Sequence, residues 1–510
     1  MINIYEPNIY KYKNSAIDAI QSGWISNHGE FIENSSKKLK EILNVKHVIL
    51  MANGTCATHC LFLALKYKYP QINKIYVPNN CYVAAWNCLL MEYDKTNIEV
   101  MKMDINTWNI CVDEEYIKNL DNNSSVLIVH NLGNIVNVPR LKQIRPDLIF
   151  IEDNCEGFTG KYDNIYSGTS NCSLCSSVSF YGNKIITTGE GGAFITNDDD
   201  IYSYIIKAYS QGMSSIRYLH DTPAYNYRMT NIQAAFLFDQ FNDFDSIINN
   251  KRQIFNNYKN LLSSLIDTNK IDIFKEEDNT ISANWIFSIR LINNNKTIQE
   301  TMEYFKKFNV DIRPFFYPIN KHEHLKDIQF DDNISYILNK EIIMIPSSPL
   351  ITYDTQKYVV NIVTNFVNEI DIIEINDSNI HLLLEFLSNS LPSSFRYFQT
   401  RTIDTIKNHV LTLLLVKDGI PIGYSHIDYD IHSDRYWFGI CILHCYHNQG
   451  YGNFMMNYIL SDSKIKQINN NNNIYLTVDN DNIYAIKLYI KHNFNEINKN
   501  ELLTTMLLTK

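Results

Sequence analysis

Lys184 lies in the run SFYGNKIITTGEGG, Ser179 to Gly192, between a serine-containing apolar strand and a glycine-rich turn. A lysine amine is a poor nucleophile while protonated. A site that desolvates it, or sets it beside another cation, lowers its pKa enough for Schiff-base chemistry. The glycines that follow let the backbone run close to a bulky group. Asp153 ends the apolar run DLIFIED and offers a carboxylate at a strand terminus. Gly54 and Thr55 open the helix-like segment GTCATHCLFLALKYK, where unpaired N–H groups favour an anion. Far along the chain, YHNQGYGN sets Gln449, Gly450 and Gly452 after a strand and before a helix, a second place for phosphate.

These residues need a scaffold that brings them together. AIDAIQSG and FIENSSKKLKEILN have apolar residues at a helical period, and HVILMAN, KIYVPN, SVLIVHNL and DLIFIEDN are short apolar runs ending in polar residues. Such runs, separated by helices, predict a mainly parallel sheet covered on both faces, with ligands beyond the carboxyl ends of its strands. Asn53, Asn79, His130 and Asp153 all fall at such ends. Around residues 365–375 the pattern changes: the acidic NEIDIIEINDSN precedes the helix-like NIHLLLEFLSN. Then come LTLLLV, a turn at Lys417-Asp418-Gly419, IPIGYSHIDYD, WFGICILH, the helix NFMMNYILS, IYLTV, the helix YAIKLYIKH and a last strand, LLTTMLLT. This predicts an α/β protein of two domains, 1–370 and a mixed unit at 371–510. The run Asn469 to Asn473 reads as a solvated loop.

Bulk properties narrow the classes. The formal net charge of -10 and the lack of a dense Lys/Arg stripe exclude an ordinary nucleic-acid binder. No apolar run is long enough for a bilayer span, and MINIYEPNIYKYKNS has no signal-peptide pattern. Ten cysteines without disulfide-framework spacing fit reduced thiols, so a cytoplasmic protein is expected.

The Lys184 segment resembles the cofactor-lysine segment of the sugar-nucleotide aminotransferases, the DegT or perosamine-synthase-like family. The resemblance extends through EDNCEG, ANGTCATHC, NNCYVAAWN, YNYRMTNIQAAF (Tyr225 to Phe236), RPFFYPIN (Arg313 to Asn320) and GWISNHGEF (Gly23 to Phe31). It implies pyridoxal 5′-phosphate on fold type I, a mainly parallel seven-stranded-type sheet with a small C-terminal subdomain. Pyridoxal phosphate needs a lysine, an acid for the ring nitrogen, a phosphate cradle and a flat contact. The resemblance gives Lys184 the first role, Asp153 the second, and Gly54, Thr55 and Ser179 the third. Tyr82 either stacks on the ring or is a core aromatic. Glu156 would face sugar or cofactor. Asn226 would reach the phosphate of the neighbouring subunit in a homodimer, and Trp24, Ser26, Asn27, Arg313 and Tyr317 would border the substrate. The implied reaction moves an amino group from glutamate to a nucleotide-linked 4-keto-6-deoxyhexose, as in perosamine or viosamine synthesis; a 3-keto sugar is the alternative. Related dehydratases replace the lysine by His, and Lys184 argues against that branch.

The C-terminal unit resembles GNAT acetyltransferases in two places. YHNQGYGN matches the pyrophosphate loop of acetyl-CoA, with His447 where Arg or Gln is usual. LTVDNDNIYAIKLYIKHNF matches the helix segment in which Asn482 would bind the CoA arm and Tyr489 would protonate the departing thiolate. Asn493 stands where Gly is usual and tolerates left-handed backbone. The implied second step is N-acetylation of the amino sugar. A CoA-binding or structural module without turnover is the alternative, and a non-enzymatic regulator on the same fold is a more distant one. His444 and Asp428 are the candidates for the acceptor base. No metal site is expected: Cys172 and Cys175 form one isolated pair, and His322, Glu323 and His324 read as solvated loop residues. Met455 and Met456 read as helix core.

Overall fold

The computed structural model describes residues 1–330, 332–388, 409–471 and 473–509. The chain separates into two compact units, Met1–Asn361 and Ile362–Lys510.

The first unit is built on seven strands: β1 (His47–Met51), β2 (Ile75–Pro78), β3 (Ile98–Met101), β4 (Ser125–Val129), β5 (Ile149–Asp153), β6 (Ser173–Ser179) and β7 (Gly192–Thr196). Their order is β1-β7-β6-β5-β4-β2-β3. Only β7 runs antiparallel, pairing both β1 and β6, so the other six strands end on one edge. Strands buried on both faces explain the unbroken apolar runs. The pairs Val129↔Asp153, Asp153↔Ser177, Ser179↔Gly192 and Met51↔Gly192 carry the registry along that edge. Helix α1 (Gly54–Lys68) leaves β1 there, and Asn53 caps it by accepting from Cys56 N at 2.9 Å. Gly192 starts β7 against this turn. A Cβ on it would stand 2.4 Å from Asn53 O, so only glycine lets the two backbones meet. Short strands at Ile271–Asp272, Ser288–Leu291, Arg313–Pro314 and Ile342–Met344 form a separate four-stranded sheet.

The second unit is a seven-stranded sheet: β8 (Ile370–Glu374), β9 (His409–Lys417), β10 (Ile420–Asp430), β11 (Arg435–Ile442), β12 (Ile474–Asp479), β13 (Phe494–Lys499) and β14 (Leu503–Leu508), ordered β8-β9-β10-β11-β12-β14-β13. The acidic segment that marks the change of pattern is therefore itself a strand, with Ile370 and Ile372 buried, Asp371 and Ile373 half-buried on the other face and Glu374 exposed at its end. The Asn-rich run is partly helical. Ser463–Asn471 forms a helix on a buried Ile465, so Asn469 to Asn471 are not loop, and Asn472 lies outside the described residues. Asp418 and Gly419 both have positive φ, the geometry of a tight hairpin between β9 and β10. Asn493 is left-handed at φ 64°. Met455 and Met456 are fully buried. No described helix is long and apolar enough to cross a membrane.

Candidate active sites

At the carboxyl edge of the first sheet the lysine segment, the strand-end carboxylate and the helix N-terminus converge. Lys184 Nζ stands 3.8 Å from the centroid of the buried Trp285 ring. Trp285 Nε1 donates to Asn183 O at 2.8 Å, and Tyr5 OH donates to Lys184 O at 2.6 Å, which pins the peptide carrying the amine. A cation over an indole face is held electrostatically and screened from water on that side. Asp153 Oδ1 accepts from Cys155 N at 3.1 Å, and the hydroxyls of Thr58 and Ser177 lie 3.5 Å from its two oxygens. Gly54, the first residue of α1, faces Ser179: a Cβ on Gly54 would fall 2.7 Å from Ser179 Cβ and 2.8 Å from its Oγ. A side chain there would fill the space in which the helix N-terminus and the serine hydroxyl meet, so the pair forms an open anion cradle. Thr55 is exposed beside it.

Glu156 ties the group together. It is buried, and Leu132 N donates to its Oε2 at 2.8 Å. Burial pushes its carboxyl up to about 7, the Lys184 charge opposes that rise, and the Asp153 charge adds to it. Lys184 and Asp153 therefore both lie within electrostatic reach of Glu156. Burial also pushes the neighbouring Cys155 thiol well up, again with Asp153 raising and Lys184 lowering it. Behind this layer, Val136 N donates to His130 Nδ1 at 3.1 Å, so His130 carries its proton on Nε2 and donates to Glu152 at 3.0 Å. That buried pair holds the ends of β4 and β5 together.

Glu156 has a measurable consequence. Its carboxyl in the folded chain titrates above the ordinary value, so its contribution to stability is complete below about pH 4.5 and is lost as pH rises through about 7. The expected loss is on the order of 3 kcal/mol. Glu156→Gln keeps an acceptor for Leu132 N and has no charge to bury. The cofactor-free variant should melt a few degrees above wild type at pH 8 and level with it at pH 5. Parallel melting curves at every pH would contradict this placement.

The remaining predicted residues lie on segments docked around the same edge. Ala52 N donates to Tyr227 O at 2.8 Å, and Arg228 bridges Met51, placing the NYR segment at the end of β1. Arg228 Nε donates to Asn226 Oδ1 at 2.9 Å. With its amide oxygen turned to Arg228, Asn27 accepts from Nη1 at 2.9 Å. Helix α2 (Asn231–Asn242) holds the Gly23–Phe31 segment, since Asn231 N donates to Ser26 O at 2.5 Å and Nδ2 to Trp24 O at 2.6 Å. Ile319 N donates to Asn79 O at 2.9 Å, and Asn80 Nδ2 to Phe316 O at 2.8 Å, which docks the Arg313–Asn320 loop at the end of β2. Arg313 pairs with Asp311 at 2.7 Å. Tyr82, 61% exposed and edge-on to Phe316, is not a core aromatic. Trp24 and Tyr317 are likewise exposed, at 60% and 47%. Trp285, Thr58 and Ser177 were not legible as site residues, because nothing in their own stretches of sequence marks them. His322 is half-buried, packing edge-on to Trp86, whereas Glu323 and His324 are exposed, His324 meeting Asn87 at the surface.

In the second unit, pairing between β11 and β12 ends at Trp437↔Tyr475, although β11 continues to Ile442 and β12 to Asp479. The two parallel strands splay into a notch. Helix α4 (Tyr451–Ser461) starts after this notch, with Gly450 left-handed at φ 86° and Gln449, Gly450 and His447 exposed. Gly452 lies in its first turn. His447 Nε2 donates to Ile442 O at 2.8 Å, which closes the loop. Helix α5 (Ile483–Lys491) carries Tyr489, packed against Phe438 and Phe494. Burial pushes the Tyr489 hydroxyl well up, so it stays protonated. Asn482 caps α5, its oxygen accepting from Ala485 N at 3.1 Å.

A fold type I sheet with a lysine, a strand-end carboxylate and an anion cradle on one edge defines a pyridoxal phosphate enzyme; the splayed β11/β12 pair and its glycine loop define an acetyl-CoA-dependent unit. Residues 9–364 match the DegT/DnrJ/EryC1/StrS aminotransferase family, to which the chain belongs, and residues 379–494 match the Acetyltransferase (GNAT) family. The GDP-perosamine synthase of Vibrio cholerae is 32% identical over 382 residues, 72% of this chain and 100% of the relative. That of Escherichia coli O157:H7 is 30% identical over 372 residues, 72% of this chain and 99% of the relative. Among solved structures, Escherichia coli GDP-4-keto-6-deoxy-D-mannose-3-dehydratase with bound hydrated PLP superposes with TM-score 0.63 at 21% identity, covering 71% of this chain and 99% of that one. Helicobacter pylori PseC, an aminotransferase involved in the biosynthesis of pseudoaminic acid, gives 0.64 at 19% identity, covering 72% and 99%. The chain is a perosamine-synthase-like sugar aminotransferase followed by a GNAT domain, and its cofactors are pyridoxal phosphate and acetyl-CoA.

Proposed function

We propose that this chain aminates a nucleotide-linked 4-keto-6-deoxyhexose with glutamate as donor and then acetylates the new amine. The observation that carries the first step is the convergence on one sheet edge of Lys184 on the Trp285 face, Asp153 at the end of β5 and the Gly54–Ser179 pair. Similarity to GDP-perosamine synthases over their whole length makes GDP the nucleotide to test first.

When bound, pyridoxal phosphate draws electron density from the bond broken at the amino-bearing carbon. Gly54, Thr55 and Ser179 hold its phosphate, Asp153 keeps its ring nitrogen protonated, and Tyr82 covers one face. Lys184 Nζ removes the proton from the α-carbon of glutamate as base and later acts as acid. Glu156, with a carboxyl near neutrality, lies where it can meet the sugar. Trp24, Ser26, Asn27, Arg313 and Tyr317 border the substrate, and Asn226 completes the phosphate site of the second protomer in a homodimer. In the second unit the amides of His447 to Gly452, with Gln449 and Gly450, wrap the acetyl-CoA pyrophosphate. Asn482 shapes the adjoining helix start and meets the CoA arm, and Tyr489 gives its proton to the thiolate. Joining both activities in one chain raises the concentration of the amine near its second site. Ten free cysteines support a reducing compartment, the cytoplasm.

Incubating the full chain with GDP-4-keto-6-deoxy-D-mannose, glutamate and acetyl-CoA should yield an N-acetylated 4-amino sugar by mass spectrometry and NMR. Turnover of a 3-keto isomer, with none of the 4-keto sugar, would move the reading to the 3-keto class. Calorimetry showing no heat with acetyl-CoA would leave the GNAT unit a structural module.

A further inference from the structure

His426 and Asp428 alternate along β10, so their side chains share one face of the second sheet with Tyr424. Asp428 Oδ1 lies 3.9 Å from His426 Nε2. Across β9, the ring of His409 stacks on that of His426 at 4.6 Å and 18°. On the other side His426 pairs with Gly439 of β11, and a Cβ on Gly439 would fall 2.2 Å from His426 Cε1. The imidazole thus lies over the β11 backbone where a side chain is missing, two residues past the point at which β11 and β12 part. Tyr489 reaches the same stretch of β11 through Phe438, a residue of the opposite face.

We propose that His426 is the base that takes the proton from the acceptor amine, with Asp428 positioned to stabilise its charged form. The proposal rests on the reading of this unit as an amine acetyltransferase. The amine nitrogen bonds to the thioester carbonyl carbon and the C–S bond breaks. The thiolate takes a proton from Tyr489, and the proton of the amine passes to His426. The other titratable groups on this face, among the described residues, include His409, Tyr424, Cys441 and Asp371, and toward the end of β10 also Asp430, Arg435 and Tyr475. Helix α3 (Ile380–Ser388) brings the apolar Leu383 and Phe386 to it, with His381 and Glu385 exposed. His409, His426 and Asp428 also have the composition of a metal site. Near-parallel rings, however, hold their in-plane lone pairs side by side, whereas a shared ion needs them to converge.

The test compares wild type, His426→Gln and Asp428→Asn in the full chain. Acetyl transfer from acetyl-CoA to a GDP-linked 4-amino-4,6-dideoxyhexose is followed from pH 5.5 to 9. His426→Gln should lower kcat about 10²–10⁴-fold and leave acetyl-CoA affinity by calorimetry within about twofold. Asp428→Asn should move the acidic limb of the kcat profile to lower pH, because the carboxylate favours the imidazolium; a packing role would leave that limb in place. Activity of His426→Gln within about threefold of wild type, with an unchanged limb, overturns the proposal. So does activity lost on chelation and restored by Zn²⁺, which assigns the cluster to a metal. A wild type that binds acetyl-CoA and acetylates no amine overturns the acetyltransferase reading itself, and the two failures are told apart by wild type alone.

Discussion

Replacing Lys184 by Ala should reduce amination at least about 10³-fold, since a positioned base contributes about 10²–10⁴-fold and the covalent tie to the cofactor is lost as well. The visible absorption of the lysine-bound cofactor should vanish. Phosphate binding should survive, because Gly54 and Ser179 are untouched. The fold should survive too. The side chain of Lys184 is half-buried and its amine rests on Trp285, a contact of about 0.5–2 kcal/mol. A variant with wild-type melting and wild-type turnover would remove this lysine from the chemistry.

The second large effect belongs to Asp153. Asp153→Asn keeps an oxygen for Cys155 N and the Ser177 hydroxyl, puts an amide NH2 where Oδ2 faced the Thr58 hydroxyl, and loses the charge. Removing one group that stabilises charge developing in the reaction costs about 10²–10³-fold, so turnover should fall about 10²-fold or more at saturating cofactor. A separate readout comes from Glu156. The Asp153 charge raises that carboxyl, so the variant should shift its titration to lower pH. Turnover within about fivefold of wild type would deny Asp153 the role of ring-nitrogen partner.

Much of this was legible because burial writes itself into sequence. Runs such as VLIV and LIFI are continuous and apolar since strands in the middle of a parallel sheet have no solvent face, and their polar ends mark one edge. The elements that escaped are those whose signals are weak or mixed. Ile370–Glu374 mixes Ile with acidic residues and reads as a charged boundary until its pairing with β9 sets it in the sheet. Phe494–Lys499 buries only Phe494, as an edge strand paired with β14 alone does. Asn is a poor helix former, yet Ile465 anchors the helix that continues through Asn471.

The site divides in the same way. Lys184, Asp153, Gly54 and Ser179 stand at element ends with distinctive neighbours. Trp285 is separated from Lys184 by about a hundred residues of chain, and only the fold brings its ring under the amine. Asp428 is legible in the sequence as a candidate base, but its partner His426, two residues earlier on the same face, is set apart only by the glycine that β11 places beneath it.

Borohydride reduction of the protein in the presence of pyridoxal phosphate, followed by peptide mass spectrometry, tests the central claim most directly. One pyridoxyl adduct is expected, on Lys184, absent from Lys184→Ala. An adduct on another lysine such as the buried Lys251, or none on wild type, would contradict it.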